Sequence, residues 1–160
     1  MAKNQKRSKL KTSFPMAPWL FIIYFIVLIY ITFFAWNYGA SLGPIGPGGR
    51  NYNIQPLLTI KNITLYSNDF SMIFRIIIGN ILLFIPFGFL FPFVIERFKY
   101  DDKPVRIIPI TIMAMFLSFF IELNQFAFTY RVANIDDIIL NTTGGFIGVI
   151  LYRIFRLIRK

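Results

Sequence analysis

The sequence contains no cysteine and no histidine among its 160 residues. Disulfides, thiol nucleophiles, histidine-ligated metals and a Ser-His-Asp triad are therefore excluded. Charge is scarce too: Asp, Glu, Lys and Arg make up 15% of the chain, against roughly a quarter in soluble domains. Only 7 residues are acidic, so a carboxylate falling inside apolar sequence carries information. What is abundant is apolar. Hydrophobic residues make up 56% of the chain, and Phe alone occurs 20 times. A soluble globule of this size leaves too much of its chain exposed to hide so much apolar surface. The composition points to an all-α integral membrane protein.

The net charge of +10 raises the question of nucleic acid, and its placement answers it. Lys3, Lys6, Arg7, Lys9 and Lys11 form one cluster, Arg97, Lys99, Lys103 and Arg106 a second, and Arg153, Arg156, Arg159 and Lys160 a third. Each abuts a long apolar segment. That is the arrangement of juxtamembrane anchors facing the cytoplasm and anionic lipid, not of a phosphate-lined groove, so no nucleic acid is expected as a partner.

Four stretches are long enough to span the hydrocarbon, which takes about 20 helical residues. They run from about Ala17 to Trp36, Met72 to Ile95, Val105 to Phe126 or slightly beyond, and Ile135 to Ile158. The connections between spans one and two and between three and four are poor in Lys and Arg, which places both termini inside. The expected organisation is a basic cytoplasmic N-terminus over residues 1–16 and a single four-helix membrane domain over 17–160, with an external loop over 37–71. The first span is longer than a signal-peptide core and no A-x-A site follows it, which favours an uncleaved anchor. Within the loop, Gly39 to Gly49 reads as irregular, and Ile63 to Phe74 as a segment lying along the interface.

Polar residues inside the spans are costly in lipid and so informative. The second span carries Arg75 and Asn80. The third carries Ser118, Glu122 and Gln125, spaced four and three so that they share one helix face. The fourth opens with Asp136 and Asp137, and Asn141 follows one turn later. Given the alternating direction of the spans, all of these lie near the external end, with Arg131 just above. A shared outward-facing pocket lined by Arg75, Asn80, Glu122, Gln125, Arg131, Asp136, Asp137 and Asn141 is the economical expectation. Structural roles compete with it. Asn134 before Ile135-Asp136-Asp137 has the form of a helix N-cap with acidic residues in the first turn. Gly144-x-x-x-Gly148 suits close helix packing, and Pro86 and Gly88 fit kinking or packing of the second span. Glu122 has Arg131 or Arg75 as its candidate counter-ion.

The string Asn80-Ile-Leu-Leu-Phe84-Ile-Pro86-Phe-Gly88 resembles the N-x-x-x-F-x-P-x-G signature of VanZ-like membrane proteins. So do Ser118-Phe-Phe-Ile-Glu122-Leu-Asn-Gln125 and, after Arg131, Ile135-Asp136-Asp137-Ile-Ile-Leu-Asn141-Thr-Thr-Gly144-Gly145. Upstream, Asn53-Ile-Gln-Pro56-Leu57 is similar to the family's N-L-x-P-F element. The resemblance extends from roughly Asn53 to Tyr152. Two departures stand out: Asn134 occupies a position where many members carry Asp, and Leu57 one where Phe is common.

The resemblance implies a protein of the cell envelope of Gram-positive bacteria that lowers susceptibility to teicoplanin, a glycopeptide antibiotic. The resemblance identifies no ligand; the leading reading is that the outer pocket binds a lipid-linked wall precursor or the antibiotic's lipid tail, with Arg75 and Arg131 meeting phosphate or carboxylate. Two other classes remain open at this point. One is a membrane-embedded enzyme using Glu122 and Asp137 as acid and base. The other is a structural partner of further envelope proteins, or a homo-oligomer. No metal or cofactor is implied, although carboxylate and amide oxygens leave metal-assisted chemistry open to the enzyme reading. The cysteine-free background gives a direct test of orientation. In intact cells a membrane-impermeant maleimide should label Ser67→Cys, and should label Ser8→Cys only after permeabilisation; the reverse pattern would invert the topology.

Overall fold

The computed structural model describes residues 14–35, 52–66, 70–101, 103–128 and 132–159. The basic N-terminal cluster and the Gly39 to Gly49 segment lie outside the described residues. Helix α1, Ala17–Ile29, has proline in its first turn, where a missing N–H costs nothing. It continues into a π-helical turn, Tyr30–Phe34, closed by the Ala35 amide donating to the Tyr30 carbonyl at 2.9 Å. A two-residue strand, β1 (Tyr52–Asn53), and a short helix, α2 (Leu58–Tyr66), follow. Helix α3 (Phe70–Ile73) runs through a second π-helical turn, Phe74–Ile78, into α4 (Gly79–Glu96). The chain finishes with α5 (Ile107–Phe128), β2 (Ala133–Asn134) and α6 (Ile135–Ile158).

Four helical segments are long and apolar enough to cross a membrane: Ala17–Phe34, Phe74–Glu96, Ile107–Phe128 and Ile135–Ile158. Their outward faces are rows of large apolar side chains, such as Ile22, Ile23 and Ile26 on α1 and Ile112, Phe116 and Phe120 on α5. That is the surface lipid requires, since hydrocarbon gives no reason to hide them.

The bundle is organised by the crossing of α4 and α6, where backbone meets backbone. A Cβ on Gly88 would lie 2.0 Å from the Gly145 carbonyl oxygen, one on Gly144 2.1 Å from that of Ile81, and one on Gly148 2.2 Å from that of Ile85. On the other side of α6, a Cβ on Gly145 would meet Ala114 Cβ of α5 at 2.4 Å. In lipid, such close approach supplies the van der Waals contact that the hydrophobic effect supplies in water. Helix α1 packs against the far side of α4 through aromatic rings, Phe21 meeting Phe87 and Phe91 at centroid distances of 6.0 and 5.3 Å. Pro86 and Pro92 sit inside α4 without ending it. The Tyr24 hydroxyl donates to the Leu83 carbonyl at 3.0 Å, within the turn that Pro86 deprives of a backbone donor.

At the end of the bundle where α4 stops and α6 finishes, Arg156 Nε pairs with Glu96 Oε1 at 2.6 Å. The Tyr152 hydroxyl donates to the same oxygen at 2.7 Å and accepts the Val105 amide at 2.9 Å. This chain of bonds fastens α4, α6 and the connection into α5. In that connection the Lys99 ammonium, 2.8 Å from the exposed Asp101 carboxylate, holds the Asp101 pKa below its usual value.

Gly148→Ala should lower the unfolding free energy by about 1–3 kcal/mol, because the helix pair cannot part without losing its packing. At Gly79 an added Cβ meets nothing within 4 Å, so Gly79→Ala should be neutral or stabilise by about 0.5–1 kcal/mol. Equilibrium unfolding in detergent micelles measures both; equal effects at the two positions would contradict the crossing described.

Candidate functional site

At the opposite end of the bundle, the start of α6 is fixed from both directions. Asn134 is extended (φ −133°, ψ 120°) and its side-chain oxygen accepts the Asp136 amide at 3.1 Å, an N-cap of ordinary form. Its own backbone N–H donates to Glu122 Oε2 of α5 at 2.8 Å, and its side-chain NH2 donates to Asp137 Oδ1 at 3.2 Å. One residue thereby joins three carboxyl-bearing positions.

Asp136 turns away from its own helix and caps another. Its Oδ1 accepts the Leu57 amide, while Oδ2 accepts the amides of Thr59 at 2.8 Å and Ile60 at 3.2 Å. These donors are among the orphan N–H groups at the start of α2, and the positive end of that helix favours an anion there. Two helix N-termini, of α2 and α6, therefore converge on one carboxylate that is 1% exposed. To present its amide, Leu57 adopts φ 65°, in the left-handed region that L residues avoid at about 1–2 kcal/mol. The strap over residues 52–60 is held a second way: Tyr52 and Asn53 pair in parallel with Ala133 and Asn134. The Asn53 side-chain NH2 bonds both Asn134 Oδ1 and Thr59 Oγ1 at 3.0 Å.

The polar residues expected to share one pocket are distributed differently. Glu122, Asp136 and Asp137 meet around Asn134. Gln125 instead reaches α1, its Nε2 donating at 2.7 Å to the Thr32 carbonyl, which the π-helical turn leaves near the helix end. Asn141 pairs with Ser118, Nδ2 to Oγ at 2.8 Å, and its buried Oδ1 has no partner among the described residues. Arg75 and Asn80 are not with this group. Ile81, Ile85 and Gly88 occupy the face of α4 that meets α6, which turns Gly79 and Leu82 elsewhere, and Arg75 and Asn80 line a separate groove with them. Asn80 Nδ2 donates to the Ile76 carbonyl of its own helix at 2.9 Å. Arg131 lies outside the described residues. Asn53, Thr59 and the amides of Leu57 and Ile60 were not anticipated as partners. For Asn53 the signal was present in the Asn53-Ile-Gln-Pro56 string.

What the clamp builds is a groove of about 440 Å³ between the strap, α5 and the start of α6. Phe119, Leu123, Phe126, Ile135 and Ile138 give it apolar walls, Tyr52 and Ile54 close one side, and Asn53, Glu122 and Asn134 supply its polar groups. No Lys or Arg lines it among the described residues. Such a site suits a long apolar chain.

A family profile described as VanZ/LLP1 matches residues 21–156. The chain is similar to Protein VanZ of Enterococcus faecium, 30% identical over 133 residues that cover 83% of this chain and 71% of that protein. No solved structure matches it.

Asp136→Asn exchanges one accepting oxygen for a donor and leaves at least one strap amide unpaired, at about 1–3 kcal/mol. Leu57→Gly should be neutral or stabilise by up to about 1 kcal/mol, because glycine adopts the left-handed backbone without strain. Thermal unfolding of the two variants against the parent checks the pair, and destabilisation by Leu57→Gly alone would contradict the geometry.

Proposed function

The chain belongs to the VanZ/LLP1 family, and from that premise we propose that it is a multi-pass protein of the bacterial cell membrane that contributes to resistance against glycopeptide antibiotics such as teicoplanin, through an outward-facing groove for the lipid tail of the antibiotic. The observation that carries this reading is the groove itself, an apolar concavity of about 440 Å³ between the strap, α5 and the start of α6. Phe119, Leu123 and Ile138 would line an acyl chain. The antibiotic's lipid tail is an occupant that this apolar lining accommodates.

Charge supports the outward orientation of this end. Among the described residues it carries two basic side chains, Lys61 and Arg75, whereas Arg97, Lys99, Lys103, Arg106, Arg153, Arg156 and Arg159 gather at the other end. The reading as an enzyme gains nothing from the geometry: Glu122 and Asp137, its candidate acid and base, both accept hydrogen bonds from Asn134 and hold the start of α6.

The test is teicoplanin susceptibility of a sensitive Gram-positive host expressing the parent or Ile138→Trp at matched membrane levels. The parent should protect, and Ile138→Trp, which fills the groove from its α6 wall, should return susceptibility to that of the host alone. Equal protection by both would remove the groove from the function, and no protection by the parent would remove the resistance role.

A further inference from the structure

Arg75 and Asn80 belong to a second groove, of about 390 Å³, on the opposite side of α4 from the α6 crossing. Ile31 of the α1 π-helical turn lines it together with Arg75, Gly79, Asn80, Leu82 and Leu83. Both π-helical turns, Tyr30–Phe34 and Phe74–Ile78, thus contribute a residue to one concavity. Such turns leave backbone geometry that a regular helix would close, and they recur at functional sites.

Four features give this groove a ligand chemistry. The exposed Arg75 guanidinium donates to the Ser71 carbonyl at 3.3 Å and to Ser71 Oγ at 3.2 Å, both on its own helix. Neither ion pair found among the described residues involves it. Five donors on a planar fork are more than Ser71 satisfies, and phosphate is the anion that matches such a fork bidentately. Depth agrees with this assignment. The membrane-length segment begins at Phe74, so Arg75 sits at the level where hydrocarbon gives way to head groups. The third feature is access: a Cβ on Gly79 would meet nothing within 4 Å, so a ligand can approach the helix backbone there. The fourth is the division of the lining, with Ile31, Leu82 and Leu83 suited to a chain and Asn80 beside Arg75 suited to a head.

We propose that the groove between α1 and α4 binds the phosphate-bearing head of an anionic lipid, with Arg75 as the phosphate contact and Ile31, Leu82 and Leu83 along the chain. The proposal is independent of the groove between α5 and α6, and either site can fail without the other. Two sources share this chemistry, a bilayer glycerophospholipid and a polyprenyl phosphate.

The experiment uses the full chain in nanodiscs of zwitterionic lipid, doped with a photoreactive phosphatidylglycerol whose cross-links are mapped by peptide mass spectrometry. Labelling should fall on the segments bearing Ile31 and residues 74–83. It should drop about tenfold in Arg75→Gln, the loss of one charge-assisted contact pair, and by as much in Gly79→Leu, which fills the groove. Arg75→Lys should retain most of it. Competition separates the sources: phosphatidylglycerol alone competing identifies a bilayer lipid, a polyprenyl phosphate alone identifies an isoprenoid carrier, and either supports the site. Labelling elsewhere, labelling that survives both Arg75→Gln and Gly79→Leu, or competition by uncharged diacylglycerol as strong as by phosphatidylglycerol would overturn it. The diacylglycerol comparison needs only the parent protein, so it holds even where a variant fails to fold.

Discussion

The strap-bearing end of this protein depends on the Asp136 carboxylate, which accepts three backbone amides from residues 57–60, more than seventy positions upstream. An isolated carboxylate at the edge of the hydrocarbon would be strongly disfavoured. Here it is placed between the N-termini of α2 and α6, where unpaired N–H groups and aligned peptide dipoles supply the compensation. The strap is thereby drawn onto the bundle, and Tyr52, Asn53 and Ile54 become a wall of the α5–α6 groove instead of part of a free loop. Leu57 accepts a left-handed backbone as a consequence.

That interaction is possible only because α6 is already fixed in rotation and height. The glycine-lined crossing with α4 permits one close approach, and Gly145 against Ala114 sets α5 on the other side. The Glu96–Arg156–Tyr152 chain locks the far end. With α6 pinned at its middle and at its end, its first turn comes to rest where Glu122 receives the Asn134 amide. Helix α1 is held more lightly, by aromatic rings, the Tyr24 hydroxyl and the Gln125 contact to Thr32. The α1–α4 groove opens along that side.

The spans were legible because each is an apolar run of membrane length set off by charged or turn-forming residues, and hydrocarbon thickness fixes its length. The Asn134 cap was legible because a capping side chain acts within its own neighbourhood. The distribution of the polar residues was not. Sequence gives the depth of Arg75, Asn80 and Glu122 along their helices, and that depth suggested one pocket. It does not give the rotation of each helix, and the α4–α6 crossing turns Arg75 and Asn80 onto a different face. The strap contacts were hidden for another reason: the amides of Leu57, Thr59 and Ile60 do the bonding, and a backbone donor leaves no side-chain signature. Both departures from the VanZ-like pattern, Leu57 and Asn134, fall within this clamp. Asn134 also donates to Asp137, which an Asp at that position could not do in its charged form.

The most direct measurement is a disulfide cross-link between Tyr52→Cys and Ala133→Cys, in a chain that contains no other cysteine. These positions are register partners in the parallel pair, so their Cα atoms lie about 4.8 Å apart, within disulfide reach. Mild oxidation in membranes should form the intramolecular bond in nearly all molecules, while Tyr66→Cys with Ala133→Cys should give none. Failure of the first pair, or equal cross-linking by both, would contradict a strap fastened to the start of α6.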